Sequence, residues 1–520
     1  MNPQSLVMAL DVGSSTARTV MVDPAGVIVG EGRAPVVWKH PRPGWVELDP
    51  MALWQTTRTT IGLALRSAGA RAEDVVALGI TSHRETVMVW ERDTGRPVHD
   101  AIVWISHQTD DIVNRWQERG LAEEFRTRTG LRNDSFFSAA KVAWLLDNVP
   151  GLRTRAAAGQ VLCGTMDTWL LWNLTGGQVH ATDPSCASRT ALFNLSSLSW
   201  DEELLELLDI PATVLATVQS SDADFGRVDA SVLTGRPPIR AVLADQQAGM
   251  FGQACFETGA AKNTFGTAGV LTVNSGAEPV LVDGLTSSVA WTVQQQTRFE
   301  LEGVVFHSGQ TLQWLRESLG MVADPARIDA LCASVPDSGG VYIVPAFGGI
   351  CAPHWDRRAR ASITGLSLDS TSAHVIRAAV EAMAYQTCDI VEALSAGGMT
   401  VSQLKVDGGG SSSDLLCQFL ADISGLQIVR PRELERTALG VAYVAGTGVG
   451  LWNGPADVEK AWEADRVFDP AMAPDRREEL YGGWRQALAR TLTGPPRTAT
   501  VVAPPSAQSL TNDRSLEEQS

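Results

Sequence analysis

The sequence predicts an α/β protein made of two similar halves that face each other across a cleft. Three observations predict it. An apolar run, Leu6-Val-Met-Ala-Leu-Asp11, passes through a turn rich in Gly and hydroxyls, Gly13-Ser14-Ser15-Thr16, into Arg18-Thr-Val-Met-Val-Asp23. That is the pattern of strand, tight turn, strand. The same unit returns halfway along, where Ala260-Ala-Lys-Asn-Thr-Phe265 runs through Gly266-Thr267-Ala268-Gly269 into Val270-Leu-Thr-Val273. Helix-period stretches separate further strands in each half, which is α/β organisation.

In chain order, residues 50–68 carry apolar side chains at helical spacing (Trp54, Ile61, Leu65), followed by a strand over 75–80. A short strand over 239–243 runs into Asp245-Gln246-Gln247. Residues 372–394 repeat the helical spacing (Ile376, Met383, Ile390) and precede a strand over 404–406. The expected division is 1–250, 251–490 and a disordered tail over 494–520, which has four Pro and no aromatic residue.

Composition narrows the function. The chain has 520 residues, 19% charged and 44% hydrophobic, with a net charge of −17. An acidic chain argues against a nucleic-acid-binding surface, but not against a nucleotide, whose phosphates are held by local backbone N–H groups and a metal. The longest uncharged run, 338–355, is broken by Gly and Pro, so no membrane-spanning segment is expected. No basic stretch followed by an apolar one marks a leader. The seven Cys (163, 186, 255, 332, 351, 388 and 417) form no C-x-x-C pair. They read as buried thiols of a reduced, cytoplasmic protein, in which the sequons at Asn173 and Asn194 carry no meaning.

Four segments carry chemistry. Asp11-Val-Gly-Ser-Ser-Thr16 is a phosphate-loop candidate, with an acid placed to reach a metal. Taken alone it also reads as an ordinary hairpin turn. Asp407-Gly-Gly-Gly-Ser-Ser-Ser-Asp414 joins a strand to a helix, where glycines let a flat ligand approach; its plain alternative is an N-capped helix. Asp245 and Gln246 end a strand, a position for a base or for a helix cap. Arg84-Glu85 offers a donor and an acceptor to a polyol; the plain alternative is a surface ion pair. His83, His107, His307 and His354 lack metal-ligand spacing, and neither a G-x-S-x-G elbow nor a G-x-G-x-x-G turn after the first strand is present.

Together these segments resemble the FGGY carbohydrate kinases, and within them the glycerol kinases. The resemblance spans residues 6 to about 490 and rests on ten ordered stretches. They include Ala9-Leu-Asp11…Arg18, Pro43-Gly-Trp-Val-Glu47, Gly79-Ile-Thr-Ser-His-Arg-Glu-Thr86, Ala101-Ile-Val-Trp104, Ala187-Ser-Arg-Thr190, Asp245-Gln-Gln247, Ala261-Lys-Asn-Thr-Phe-Gly-Thr267, Gln313-Trp-Leu-Arg316 and Val406-Asp-Gly-Gly409. It implies the actin-like, ribonuclease H-like ATPase fold and transfer of phosphate from ATP with Mg²⁺ to a polyol, glycerol first. It places polyol and phosphate binding in the first domain and nucleotide binding in the second. Ser14, Ser15, Thr16, Arg18 and Thr267 would meet the ATP phosphates, and Gly309, Gln313, Gly409 and Ser413 the nucleoside. Arg84, Glu85, Trp104, Phe136, Gln246 and Val270 would line the polyol pocket. Asp245 would be the catalytic base, and Asp11 with Asp245 would lie at the Mg²⁺. Homodimers or homotetramers are common in the family.

Four departures bear on specificity. Ser135-Phe136-Phe137-Ser138 stands where the family has Pro-Tyr-Phe-Ser, so a Tyr hydroxyl is missing. Val270 replaces an aromatic residue, Ile105-Ser106-His107-Gln108 replaces a segment with Arg, and Ser413 replaces an Asn. The expectation is a pocket larger and less polar at one end, open to erythritol, threitol or xylulose as alternatives to glycerol. The short 234–238 loop lacks the family's sugar-bisphosphate motif, so feedback by a bisphosphate is not expected. An actin-like ATPase without acceptor, or a polyol sensor without turnover, are the rival classes. The polyol-binding groups argue against the first and Asp245 against the second.

Overall fold

The structure is a computed structural model that describes residues 5–494. The expected tail lies beyond them, save its first residue. Two sheets form the body of the molecule. The first contains β1 (Leu6–Val12), β2 (Thr16–Val22), β3 (Ile28–Pro35), β4 (Val75–Ser82) and β5 (Ile239–Ala244), in the order β5-β4-β1-β2-β3. β1 pairs parallel with β4 and antiparallel with β2, and β2 pairs antiparallel with β3. The second contains β6 (Ala261–Phe265), β7 (Gly269–Gly276), β8 (Thr286–Val293), β9 (Gln296–Val305), β10 (Gln403–Asp407), β11 (Gln427–Pro431) and β12 (Ala464–Phe468). Its order is β8-β9-β7-β6-β10-β11-β12. With the edge strands β8 and β12 set aside, both sheets share one order and one pattern of parallel and antiparallel pairs. The two similar hairpins therefore belong to two similar sheets.

Local chemistry fixes the helices. α1 (Pro50–Ala68) begins at Asp49, whose carboxylate accepts from the Met51 and Ala52 N–H groups, has Pro at its first position, and ends at Gly69 in the left-handed region. α2 (Ser138–Asn148) follows the Phe136-Phe137 turn. α3 (Asp245–Gly252) leaves the end of β5. α4 (Gly309–Glu317) follows β9, and α5 (Ser372–Ala396) precedes β10. α6 (Asp414–Ser424) and α7 (Arg436–Thr447) complete the second half.

One large core lies within each half, and a third joins them. In the third, Ala438, Val441 and Tyr443 of α7 pack on Val7 and Ala9 of β1 and on Ala248 and Phe251 of α3. A helix from late in the chain thus braces the first sheet. α3 and α7 cross at Gly252 and Gly440. A Cβ at Gly440 would fall on the Ala248 carbonyl oxygen, and one at Gly252 on the Arg436 carbonyl oxygen.

All seven Cys are buried and free. Among the described residues, no helix is long and apolar enough to cross a membrane.

Two glycines give a stability test. Gly440→Ala forces the backbones of α3 and α7 apart and should cost about 1–3 kcal/mol or more, read as a fall in Tm. Gly62→Ala, in α1 with only the end of the Arg66 side chain nearby, should hold or raise Tm, by up to about 1 kcal/mol. Equal effects from both would contradict the close crossing.

Candidate functional site

A cleft of about 360 Å³ opens where the two hairpins face each other. In the first hairpin Gly13 N–H donates to the Thr16 carbonyl at 3.0 Å, which turns Ser14 and Ser15 toward the cleft. Trp104 Nε1–H donates to Ser14 Oγ at 2.9 Å. In the second, Gly266 N–H donates to the Ala268 carbonyl at 3.0 Å, and Thr267 lines the opposite wall. Successive backbone N–H groups in such turns form an anion-binding concavity. Two of them, on facing walls, suit a chain of phosphates.

Acids lie at the base of the first hairpin. Asp11 stands opposite Arg18 in the β1–β2 ladder. Burial pushes its carboxyl up to about 6; Arg18 opposes that shift and Asp245 adds to it. Arg18 reaches the cleft, but Glu31 at 3.1 Å and Glu435 also hold its guanidinium. Asp245 is the first residue of α3 and follows the cap position, which Ala244 occupies. Its Oδ1 accepts from Gln246 N–H at 2.7 Å and lies 3.4 Å from Arg84 Nε. The Gln246 side-chain carbonyl accepts from Lys262 Nζ at 2.5 Å, leaving its amide N–H₂ for the cleft.

Asp11 and Asp245 are hard oxygen donors, and the Asp245 charge adds to the rise in the Asp11 carboxyl, a pair that a divalent cation relieves. Among the described residues no cluster of three or more metal-binding side chains occurs. One or two carboxylates plus substrate phosphates is the usual Mg²⁺ set, so the residues fit Mg²⁺ arriving with a nucleotide.

Arg84 and Glu85 are not a surface pair. Both are buried within an ionic network that crosses between the halves. Arg84 Nη1 lies 2.5 Å and Arg189 Nη2 2.6 Å from the two carboxylate oxygens of Glu302. Arg189 Nε lies 2.8 Å from Glu85 Oε1. Burial works against the charge on Arg84, yet Glu302, Glu85 and Asp245 outweigh it and raise its pKa. Glu85 has a left-handed backbone, with φ +64°. Such strain in a non-glycine residue persists only where the surroundings over-determine it. Sequence reasoning gave no role to Arg189 or Glu302. The available signal was Phe299-Glu300-Leu301-Glu302, two acids on one face of an apolar strand, which demand buried partners.

Phe136 is held by another residue without an assigned role. Lys141 of α2 is buried, and its Nζ donates to the carbonyls of Ser135, Phe136 and Phe137 at 2.8, 2.6 and 3.1 Å. Burial pulls its pKa down to about 7. The Phe136 ring meets Trp104 edge-on at 5.6 Å. Val270 packs with Val304 and Cys351, with Phe306 against them.

The substituted segment Ile105-Ser106-His107 does not line the cleft. It lines a neighbouring cavity of about 580 Å³ that shares Trp104 and Phe136 with it. Ser413 Oγ accepts from Leu416 N–H as the cap of α6 and donates to Asp329 at 2.7 Å. Gly309 N–H donates to the Gly266 carbonyl at 3.1 Å, which fixes the second hairpin, and Gln313 bonds Glu317 at 3.0 Å. Gly409 has open space before it. None of Gly309, Gln313, Gly409 and Ser413 lines the 360 Å³ cleft.

Two predictions follow from these charges. The Asp11 carboxyl has a folded pKa of about 6 against an ordinary 3.8, so its ionisation opposes folding as pH rises from about 4 to 6, and fully above that. Asp11→Asn should therefore stabilise the ligand-free chain at pH 7.5, by about 2–3 kcal/mol. The gain should vanish below pH 4, as chemical denaturation across pH would show. Arg189→Ala leaves Glu85 and Glu302 buried without that partner and should cost about 3–5 kcal/mol; a Tm within a degree of the parent would refute the network's importance.

Comparison with known proteins gives the same reading of the fold. The N-terminal domain model of the FGGY family of carbohydrate kinases matches residues 6–252, and the C-terminal domain model matches residues 261–449. The chain is 46% identical to the glycerol kinase of Aromatoleum aromaticum over 488 residues, 94% of this chain and 98% of that one. It is 44% identical to that of Halorhodospira halophila over 492 residues, covering 94% and 97%. Among solved structures, Plasmodium falciparum glycerol kinase with ADP matches with a TM-score of 0.85 at 30% identity, covering 94% and 98%. A gluconate kinase from Lactobacillus acidophilus shares the fold, with a TM-score of 0.82 at 22% identity and 94% and 99% coverage. The duplicated sheets are thus the actin-like, ribonuclease H-like fold. With both domain models matched in order and relatives alike over nearly its whole length, the chain belongs to the FGGY family of carbohydrate kinases.

Proposed function

We propose that this chain transfers the γ-phosphoryl group of ATP to a terminal hydroxyl of glycerol, giving ADP and glycerol 3-phosphate. The single observation that carries this reading is the setting of Asp245. Its carboxylate lies in a cleft whose walls are two phosphate-type hairpins and whose buried side is the Arg84–Glu85 pair. The glycerol kinases matched over nearly full length supply the acceptor.

A primary alcohol is a weak nucleophile. Asp245 takes its proton as the alcohol oxygen bonds to phosphorus and the bond to the ADP oxygen breaks. Arg84 donates to acceptor hydroxyls and orients Asp245, while Glu85 and Gln246 complete the grip on the polyol. Trp104, Phe136 and Val270 form the apolar side against its carbons. Ser14, Ser15, Thr16 and Thr267 align the phosphates from both walls. Asp11 and Asp245 would hold Mg²⁺, which neutralises phosphate charge when bound. Arg18, which lines the same cleft, would lie near the phosphates as well as beside Asp11. Residues 1–250 would carry the acceptor and phosphates, and residues 251–490 the nucleoside, at Gly309, Gln313 and Gly409. Ser413 would set the start of α6 beside it.

We further propose a cytoplasmic homodimer or homotetramer that binds no nucleic acid and inserts in no membrane. The seven free thiols and the net charge of −17 support the compartment and the absence of nucleic acid. Light scattering of the purified chain tests the assembly.

Release of ADP from Mg·ATP with and without glycerol tests the reaction; turnover independent of glycerol would favour an ATPase instead. Asp245→Asn should lower kcat by about 10²–10⁴-fold and leave the KM for ATP within a few-fold. Near-normal turnover in that variant would remove Asp245 as the base.

A further inference from the structure

The family's aromatic residue at position 270 is Val here, which by itself predicts a roomier acceptor pocket. The structure places another ring in that region. Phe306 follows β9 and stands two residues beyond Val304, which pairs with Val270 across the β7–β9 ladder. It packs on the Val270–Val304–Cys351 cluster, and its ring centroid lies 5.8 Å from that of Phe136. Phe136 in turn meets Trp104 at 5.6 Å.

These three rings stand between two cavities. Trp104 and Phe136 line both the 360 Å³ cleft and the 580 Å³ cavity next to it. Val270 and Val304 line only the first, and Phe306 only the second. Phe306 therefore backs the valines that face the acceptor and closes the gap toward the larger space.

We propose that Phe306 is a specificity-determining residue. With Trp104 and Phe136 it forms an aromatic partition that limits the acceptor to three carbons. The inference rests on the polyol-kinase reading given above. The adjoining cavity is large enough for the extra carbons of a tetritol or pentitol. Its wall carries polar groups for their hydroxyls: His107, His307 and Arg357. The His307 ring accepts from Gly348 N–H at 2.9 Å and pairs with Gln310 at 2.8 Å. Arg357 is anchored to Asp110 at 2.6 Å and to Asp134 at 2.8 Å. The cavity walls are thus held in place without an acceptor.

The test measures kcat/KM for glycerol, erythritol and xylitol with the full chain, as parent, Phe306→Ala and Phe306→Leu. The parent should prefer glycerol. Phe306→Ala should shift the xylitol-to-glycerol ratio of kcat/KM at least tenfold toward xylitol, through a lower KM for xylitol and a higher KM for glycerol. Phe306→Leu, which keeps most of the volume, should shift it less and guards against misfolding of the Ala variant. A ratio unchanged in folded variants overturns the proposal, as does a parent that already prefers xylitol. A purely structural role would lower kcat for every acceptor alike and leave the ratio fixed. No turnover of any polyol by the parent would defeat the kinase reading itself, a distinct outcome.

Discussion

Four buried charges tie the two halves together beside the cleft. Arg84, Glu85 and Arg189 come from the first half and Glu302 from the second. A buried ion pair adds little net stability over apolar packing, but a buried charge without its partner costs several kcal/mol. The arrangement therefore tolerates little displacement. Glu302 stays between two guanidinium groups, and Arg84 keeps its place against Asp245 only while the halves stay in register. This constraint holds Glu85 in a backbone conformation it would otherwise leave.

The cleft inverts that logic. Around Arg84 each charge meets its opposite. Around Asp11, burial that Arg18 only partly offsets makes the carboxyl hold its proton more tightly, and the Asp245 charge adds to it. Sites that act on charged ligands commonly give up stability in this way, because the missing partner is the ligand. Arg18 reaches the same cleft while Glu31 and Glu435 also engage it.

What was legible in the sequence was local. α1 announces both its ends through Asp49, Pro50 and Gly69. The hairpins show because their turns need Gly and short polar residues at fixed places. Long-range pairing leaves no such mark. Arg84-Glu85 reads as a surface pair because its partners, Arg189 and Glu302, lie far along the chain. Lys141 looks like a stray cation on an apolar helix until three carbonyls of the preceding turn are seen around it. Sequence alone does not show which cavity Ile105 to His107 face, because the chain turns past Trp104 into the space beside the cleft. Phe306 escaped for the converse reason. It fills space near position 270 from just past the end of β9, a strand that sequence order alone does not pair with β7.

The floor and the mouth of the cleft differ in how firmly they are held. At the floor, Asp245 begins α3, and α3 is pressed by α7 at a crossing that admits no Cβ on Gly252 or Gly440. α7 also packs on β1, the strand that ends at the first hairpin. β1, α3 and α7 thus share one packed core. At the mouth the two hairpins face each other across the cleft, with Ala268 of the second also packed against the first half's core. The floor is thus set by packing that reaches Asp245 through α3, while the mouth is lined by the two turns that carry Ser14 and Thr267. Phosphoryl transfer needs that division, since alignment of the acceptor must survive the step that encloses the nucleotide.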